Sequence, residues 1–148
     1  MDETFDVSVR TAVYRHFAAT GHGPTLQDMC DAVGATREQV TESYRRLYAR
    51  RMLVPTRDFE SIRMAPPFSG VPTQHRAIVK GVEYFANCAW DVFGVIAALG
   101  GTGDVRSRCE QTLEPLALHL TPAGPPASDR RVHCVVPAAH WWNDIVFT

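Results

Sequence analysis

The stretch that decides the fold is YFANCAWDVFGVIAALGG, residues 84–101. From Ala86 to Leu99 almost every side chain is apolar, and the run stops at Gly100-Gly101. A helix that is apolar all round reads as buried in a core. Just upstream, Ala77-Ile78-Val79 and Val82-Glu83-Tyr84-Phe85 flank Lys80-Gly81, a two-residue hairpin signal. Downstream, Asp104 to Glu110, Pro115 to Thr121 and Arg131 to Val136 read as strands, with Pro-Ala-Gly-Pro-Pro at 122–126 joining the last two. An apolar segment, Trp141 to Phe147, follows.

The chain ahead of this core reads differently. Val9, Ala12, Val13 and Phe17 recur at helical spacing, and Gly21, Gly23 and Pro24 end that helix. A short helix starts at Thr25. Thr36 with Gln39 three residues later fits a capping box, so a third helix is expected over Arg37 to Arg51, with Val40, Tyr44, Leu47 and Tyr48 facing inward. Leu53-Val54 and Ile62-Met64 suggest a small hairpin, and three helices with a hairpin make a winged-helix outline. Pro66, Pro67, Ser69, Gly70 and Pro72 read as a linker. The expected fold is α+β: a three-helix winged-helix-like domain over residues 1–66, then a small mixed core of strands around one buried helix over 67–148.

Composition narrows the function classes. The 148 residues are 45% apolar and 21% charged with a formal net charge of −1, which suits a folded globular chain and gives no electrostatic argument for nucleic acid or anionic lipid. No apolar run reaches the roughly 18 residues of a membrane helix. The amino terminus, MDETFDVSVR, is acidic where a signal peptide is basic and then apolar. Cys30, Cys88, Cys109 and Cys134 contain no CxxC pair, which fits free thiols in a reducing cytoplasm.

Burial and reactivity coincide at Asn87-Cys88-Ala89-Trp90-Asp91. Cys88 and Asp91 share a helix face, and Asp91 is the only charged residue between Glu83 and Asp104. With Asn87 as N-cap, Cys88 falls in the first turn, where the helix dipole favours a thiolate. For Asp91, dipole and burial oppose each other, which leaves its protonation open. The plainer alternatives are a small core Cys and a capping Asp.

The segment from about Arg76 to Val136 resembles the alkylmercury lyase family. The resemblance rests on Tyr84-Phe85-Ala86, then Asn87-Cys88-Ala89-Trp90-Asp91, Ala97-Ala98-Leu99-Gly100 and Val105-Arg106-Ser107-Arg108-Cys109, with 21 residues separating Cys88 from Cys109. It implies protonolysis of a carbon–mercury bond by two cysteines and an aspartate without a separate cofactor. It places the first cysteine on Cys88, which holds the substrate mercury, and the proton-donating carboxyl on Asp91; soft thiolates suit a soft metal. The family's second catalytic cysteine falls where this chain reads His140-Trp141-Trp142-Asn143, without a thiol. Trp90, Cys134, Trp142 and Asn143 are the candidate substrate-contacting residues. Cys134 is a stand-in for the missing thiol if Val132, Cys134 and Val136 share a strand face, or else a core residue. Cys109 reads as structural, on a strand face with Val105 and Ser107. The implied partner is a small molecule, an organomercurial or another small organic compound, with external thiols assisting. Arg45, Arg46, Arg50 and Arg51 keep a noncatalytic DNA-binding or sensing role open as the alternative.

Overall fold

A computed structural model describes residues 2–147. Three helices come first: α1 (Asp2–Thr20), α2 (Leu26–Val33) and α3 (Arg37–Ala49). Val9, Val13 and Phe17 of α1 are fully buried against Met29 and Cys30 of α2 and Val40, Tyr44 and Leu47 of α3. The capping box at Thr36 forms as expected, and a second closes at Thr25, whose side chain receives the Asp28 backbone N–H while the Asp28 carboxylate accepts from the Thr25 N–H. Tyr48 departs from the expectation and is 48% exposed, because the inward stripe of α3 passes through Leu47.

One ion pair ties α1 to α3. Asp6 is buried; its carboxylate accepts from the Arg46 guanidinium at 2.7 Å and from the Ser43 hydroxyl at 2.7 Å. Burial alone raises the Asp6 pKa, but Arg46 and Ser43 outweigh it and hold the group below its ordinary value.

A three-stranded antiparallel sheet follows: β1 (Val54–Pro55), β2 (Ile62–Ala65) and β3 (Phe68–Ser69), in the order β1-β2-β3. The stretch read as a proline linker therefore contains a strand. Met64 pairs with Ser69 and Ala65 with Phe68, around a cis Pro66-Pro67 bond. Phe68 and Ser69 are buried, so the prolines make the turn of a hairpin and the residues after it enter the core. A division at residue 66 would fall inside this hairpin.

The second sheet has the order β5-β4-β6-β7, all antiparallel, from β4 (Arg76–Val79), β5 (Val82–Phe85), β6 (Gly103–Arg108) and β7 (Pro115–Leu120). Lys80 and Gly81 both have positive φ, as a two-residue hairpin requires. Helix α4 (Ala89–Ala98) packs on β4 and β6 through Val92, Val95 and Ile96. It is not buried all round: Trp90, Ala97 and Ala98 are exposed, since one sheet covers only one face. Residues 131–136 form no strand; β7 is the last strand of the described residues, and Val132 and Val135 are exposed. The final apolar segment begins as a 3-10 helix, Ala138–Asn143.

Phe68 joins the two sheets and the helices. Its ring stacks on Phe17 at 5.3 Å and meets Tyr14 at 6.2 Å and Tyr84 at 5.9 Å, while its backbone bridges to Ala86. The Tyr84 hydroxyl donates to the Ala18 carbonyl at 2.8 Å. At Gly21, a Cβ would sit 2.3 Å from the Glu83 carbonyl oxygen, so only glycine lets α1 end this close to β5.

Phe68→Ala is expected to lower the unfolding free energy by about 3–5 kcal/mol in urea titration, with one cooperative transition because the lost ring serves helices and sheets together. Asp6 contributes stability above its unfolded pKa near 3.8 that disappears as pH falls through its lower folded value. Thermal melts of Asp6→Asn should accordingly show lower stability at pH 7 and a flatter acid limb than the unaltered chain.

Candidate active site

The loop between β5 and α4 is pinned from several sides. The Ala86 N–H donates to the His75 carbonyl at 2.8 Å, and the Thr73 hydroxyl donates to the Ala86 carbonyl at 2.7 Å. Asn87 turns its amide inward, with Nδ2 within 3.3 Å of the Pro67 carbonyl, 3.2 Å of the Phe68 carbonyl and 3.0 Å of Asp91 Oδ2. Its Oδ1 is buried without a hydrogen-bond partner among the described residues.

This geometry corrects the capping expectation. Cys88, with extended backbone (φ −150°, ψ 177°), occupies the N-cap, and its side chain makes no capping hydrogen bond. Asn87 lies one residue outside, because the two carbonyls of the proline hairpin take its donors. Asp91 stands in the first turn, on the side of α4 that faces that hairpin through Asn87.

The electrostatics are also reversed for the thiol. Burial raises the Cys88 pKa, and the Asp91 charge raises it further; the Asp91 and Trp90 backbone amides at the helix start pull in the other direction and lose. Two exposed N–H groups do not repay the lost hydration of a half-buried thiolate. Asp91 is raised by burial too, partly offset by the Asn87 amide. Thiol and carboxyl therefore both hold their protons more tightly than in water. Tyr14, whose hydroxyl donates to the Pro66 carbonyl at 2.8 Å, is close enough to feel the Asp91 charge after the larger effect of its own burial. Tyr14 and Arg10 also line an open groove of about 380 Å³ along α1. No local sequence signal links Tyr14 to Asp91, because the contact depends on how the helices meet the proline hairpin.

The remaining candidates are scattered around this centre. Trp90 is 59% exposed on the outer side of α4. Cys134 is exposed in irregular chain and so has no strand face to share with Val132 and Val136, yet its charge contributes to raising the Cys88 pKa. Trp142 packs on Tyr48 of α3 at 6.3 Å, and Asn143 is exposed at the end of the 3-10 helix. Cys109 is exposed rather than structural: β6 stops at Arg108, and the chain turns so that the Cys109 N–H meets the Glu114 carbonyl at 2.9 Å. The Thr112 hydroxyl and the Thr112 and Gln111 amides pull its pKa down. Cys30 is buried in the helical core.

The thiol of Cys88 thus stands half-buried at a helix N-cap, with the carboxyl of Asp91, its pKa raised by burial, in the first turn of the same helix and all four cysteines free. The alkylmercury lyase sequence profile matches residues 68–148, and the chain belongs to that family. Alkylmercury lyases of Bacillus cereus and Clostridium butyricum are each 27% identical over 104 residues, covering 70% of this chain and 45% of theirs. The chain thus spans less than half the length of these curated relatives. The crystal structure of the mercury-bound form of MerB2 superposes with a TM-score of 0.65 at 24% identity, over 86% of this chain and 60% of that one, and shares the fold.

At pH 7.5, iodoacetamide should label Cys109 fastest, Cys88 more slowly and Cys30 only after unfolding, as followed by peptide mass spectrometry. Asp91→Asn removes the charge that opposes the Cys88 thiolate. The midpoint of Cys88 alkylation against pH should move down.

Proposed function

We propose that this protein is an alkylmercury lyase-like enzyme that cleaves carbon–mercury bonds by protonolysis, with Cys88 holding the substrate mercury and Asp91 delivering the proton. The observation that carries this reading is the Asn87–Cys88–Asp91 arrangement, in which a thiol and a carboxyl of raised pKa share the first turn of one helix. Family membership supports the reaction class.

The chemistry follows from those two groups. An organomercurial of the form R–Hg–X meets Cys88; sulfur bonds to mercury as X leaves with the electron pair of the Hg–X bond, and the thiol proton passes to Asp91 or solvent. Mercury is soft enough to displace that proton even from a thiol of raised pKa. Once the thiolate is neutralised by the metal, the carboxyl of Asp91 keeps its proton through burial and sits within one turn of the bound substrate. Proton transfer to carbon breaks the carbon–mercury bond, whose electron pair stays with carbon as the new C–H bond. The products are a hydrocarbon and Hg(II) held by thiolate. Asn87 fixes the carboxyl from the other side and can again donate to it as the proton leaves.

A second sulfur ligand makes the carbon more basic and retains the product. Cys134 is the protein group proposed for this part, since it acts electrostatically on Cys88; small external thiols serve the same end. We assign the contacts with the organic group to Trp90, Trp142 and Asn143, and the setting to a reducing cytoplasm, where free thiols persist. No described helix is long and apolar enough to cross a membrane. Of the cluster behind the alternative regulator reading, Arg45, Arg46 and Arg50 pair with Glu42, Asp6 and Glu3, which dilutes the cationic face offered to phosphates and favours the lyase-like reading.

Purified protein incubated with phenylmercury and excess thiol should release benzene, measured by headspace gas chromatography. Cys88→Ser should abolish release, and Asp91→Asn should slow it by about 100-fold or more, the usual size of a lost proton donor. Cys134→Ser should be slow without added thiol and recover with it. Release that is unchanged in Cys88→Ser would rule this mechanism out, and absence of release from the unaltered chain would favour proton chemistry on another small organic compound.

A further inference from the structure

A second cluster of reactive groups lies where β4 begins and β6 ends. Ser107 on β6 and His75 just before β4 face each other across the antiparallel pair, beyond the Arg76–Arg106 register. Ser107 Oγ is 2.8 Å from His75 Nδ1, and on the far side of the ring His75 Nε2 is 3.5 Å from Glu110 Oε1. The ring is 8% exposed, Ser107 is half-buried, and Glu110 opens to solvent. The Glu110 carboxylate favours the tautomer with the proton on Nε2. That leaves Nδ1 as an acceptor aimed at the serine hydroxyl. Arg108, held by Gln74 through its Nε, adds a positive charge within electrostatic reach of the ring.

We propose that Ser107, His75 and Glu110 form a hydrolytic site for small carboxylic esters, separate from the thiol at Cys88. The parts are those of a nucleophile, a base and an orienting acid, with the two ring nitrogens exchanged relative to the familiar serine hydrolase arrangement. Burial lowers the His75 pKa against the opposing pull of Glu110, which keeps the imidazole neutral and able to accept a proton near pH 7. In the first step Ser107 Oγ bonds to the ester carbonyl carbon and its proton passes to Nδ1. The carbonyl oxygen becomes an oxyanion near the Arg108 charge. Collapse breaks the bond from carbon to the alcohol oxygen, and Nδ1 returns the proton to that oxygen as the alcohol leaves. Water then attacks the acyl-serine with the same base, releasing the acid and restoring Ser107. Bond making and breaking balance with ester and water as the only reactants.

Activated esters also acylate thiols, so the test separates the two chemistries. The full chain is assayed with p-nitrophenyl butyrate after its reactive thiols are blocked with iodoacetamide, and in parallel it is labelled with a fluorophosphonate. The expected results are sustained p-nitrophenol release above buffer, a loss of about 100-fold in Ser107→Ala and in His75→Gln, and a phosphonate adduct mapped to Ser107 by mass spectrometry. Glu110→Gln should retain the adduct but form it more slowly. Hydrolysis that stops on thiol blocking, survives in Ser107→Ala, or does not exceed buffer overturns the proposal. Should Ser107→Ala or His75→Gln fail to fold by circular dichroism, the adduct on the unaltered chain decides: labelling at Ser107 supports the site, and none there rejects it.

Discussion

The structure depends on Phe68. Its ring is the meeting point of Phe17 and Tyr14 from the first helix and Tyr84 from the larger sheet, while its backbone belongs to one hairpin and bridges to Ala86. Each contact is worth little alone, but a buried ring packed against the first helix and the larger sheet fixes their relative positions because close-packed interiors leave no room to slide. The same residue offers its carbonyl to Asn87, and its neighbour Pro67 packs against Gly94 of α4, where a Cβ would come within 3.1 Å. The start of α4, with Cys88 and Asp91 on it, is therefore located by the core of the whole molecule rather than by the loop that carries it.

That placement sets the chemistry. A helix N-terminus in water would encourage both a thiolate and a carboxylate, whereas here burial wins at each. The Asp91 charge opposes ionisation of Cys88, and burial biases both groups toward their protonated forms. On the proposed reading, a metal that takes the place of the thiol proton leaves no thiolate charge beside Asp91, and burial still favours the protonated carboxyl. The site is thus suited to spend a proton on something bound to sulfur, and this follows from burial, without any unusual residue.

Features governed by neighbours in sequence were legible beforehand. The Thr36–Gln39 capping box, the Lys80-Gly81 turn and the apolar run behind α4 each carry their signal within a few residues. The misreadings share one cause, which is that a partner decides the outcome. Phe68-Ser69 looks like linker until Met64 and Ala65 supply a strand to pair with. Arg131 to Val136 alternates like a strand but has no described strand beyond β7 to receive it. Asn87 has the side chain of a cap and spends it on carbonyls some twenty residues earlier in the chain. Likewise, His75, Ser107 and Glu110 are unremarkable apart from one another, and only the β4–β6 pairing assembles them.

The resemblance expects a second cysteine near Trp142, and the C-terminal segment carries none there. Trp142 packs on Tyr48 of α3 at 6.3 Å, while Trp141 Nε1 donates to the Val136 carbonyl at 2.7 Å within the segment itself. Cys134 lies exposed on irregular chain ahead of the 3-10 helix, with more freedom and less definition than a residue on a strand. A two-coordinate soft metal tolerates such freedom, because it fixes the position of its own ligands once bound. On the proposed reading, ordering that segment on binding costs entropy that a rigidly held thiol would not, so small external thiols compete with Cys134 for the second position on the metal.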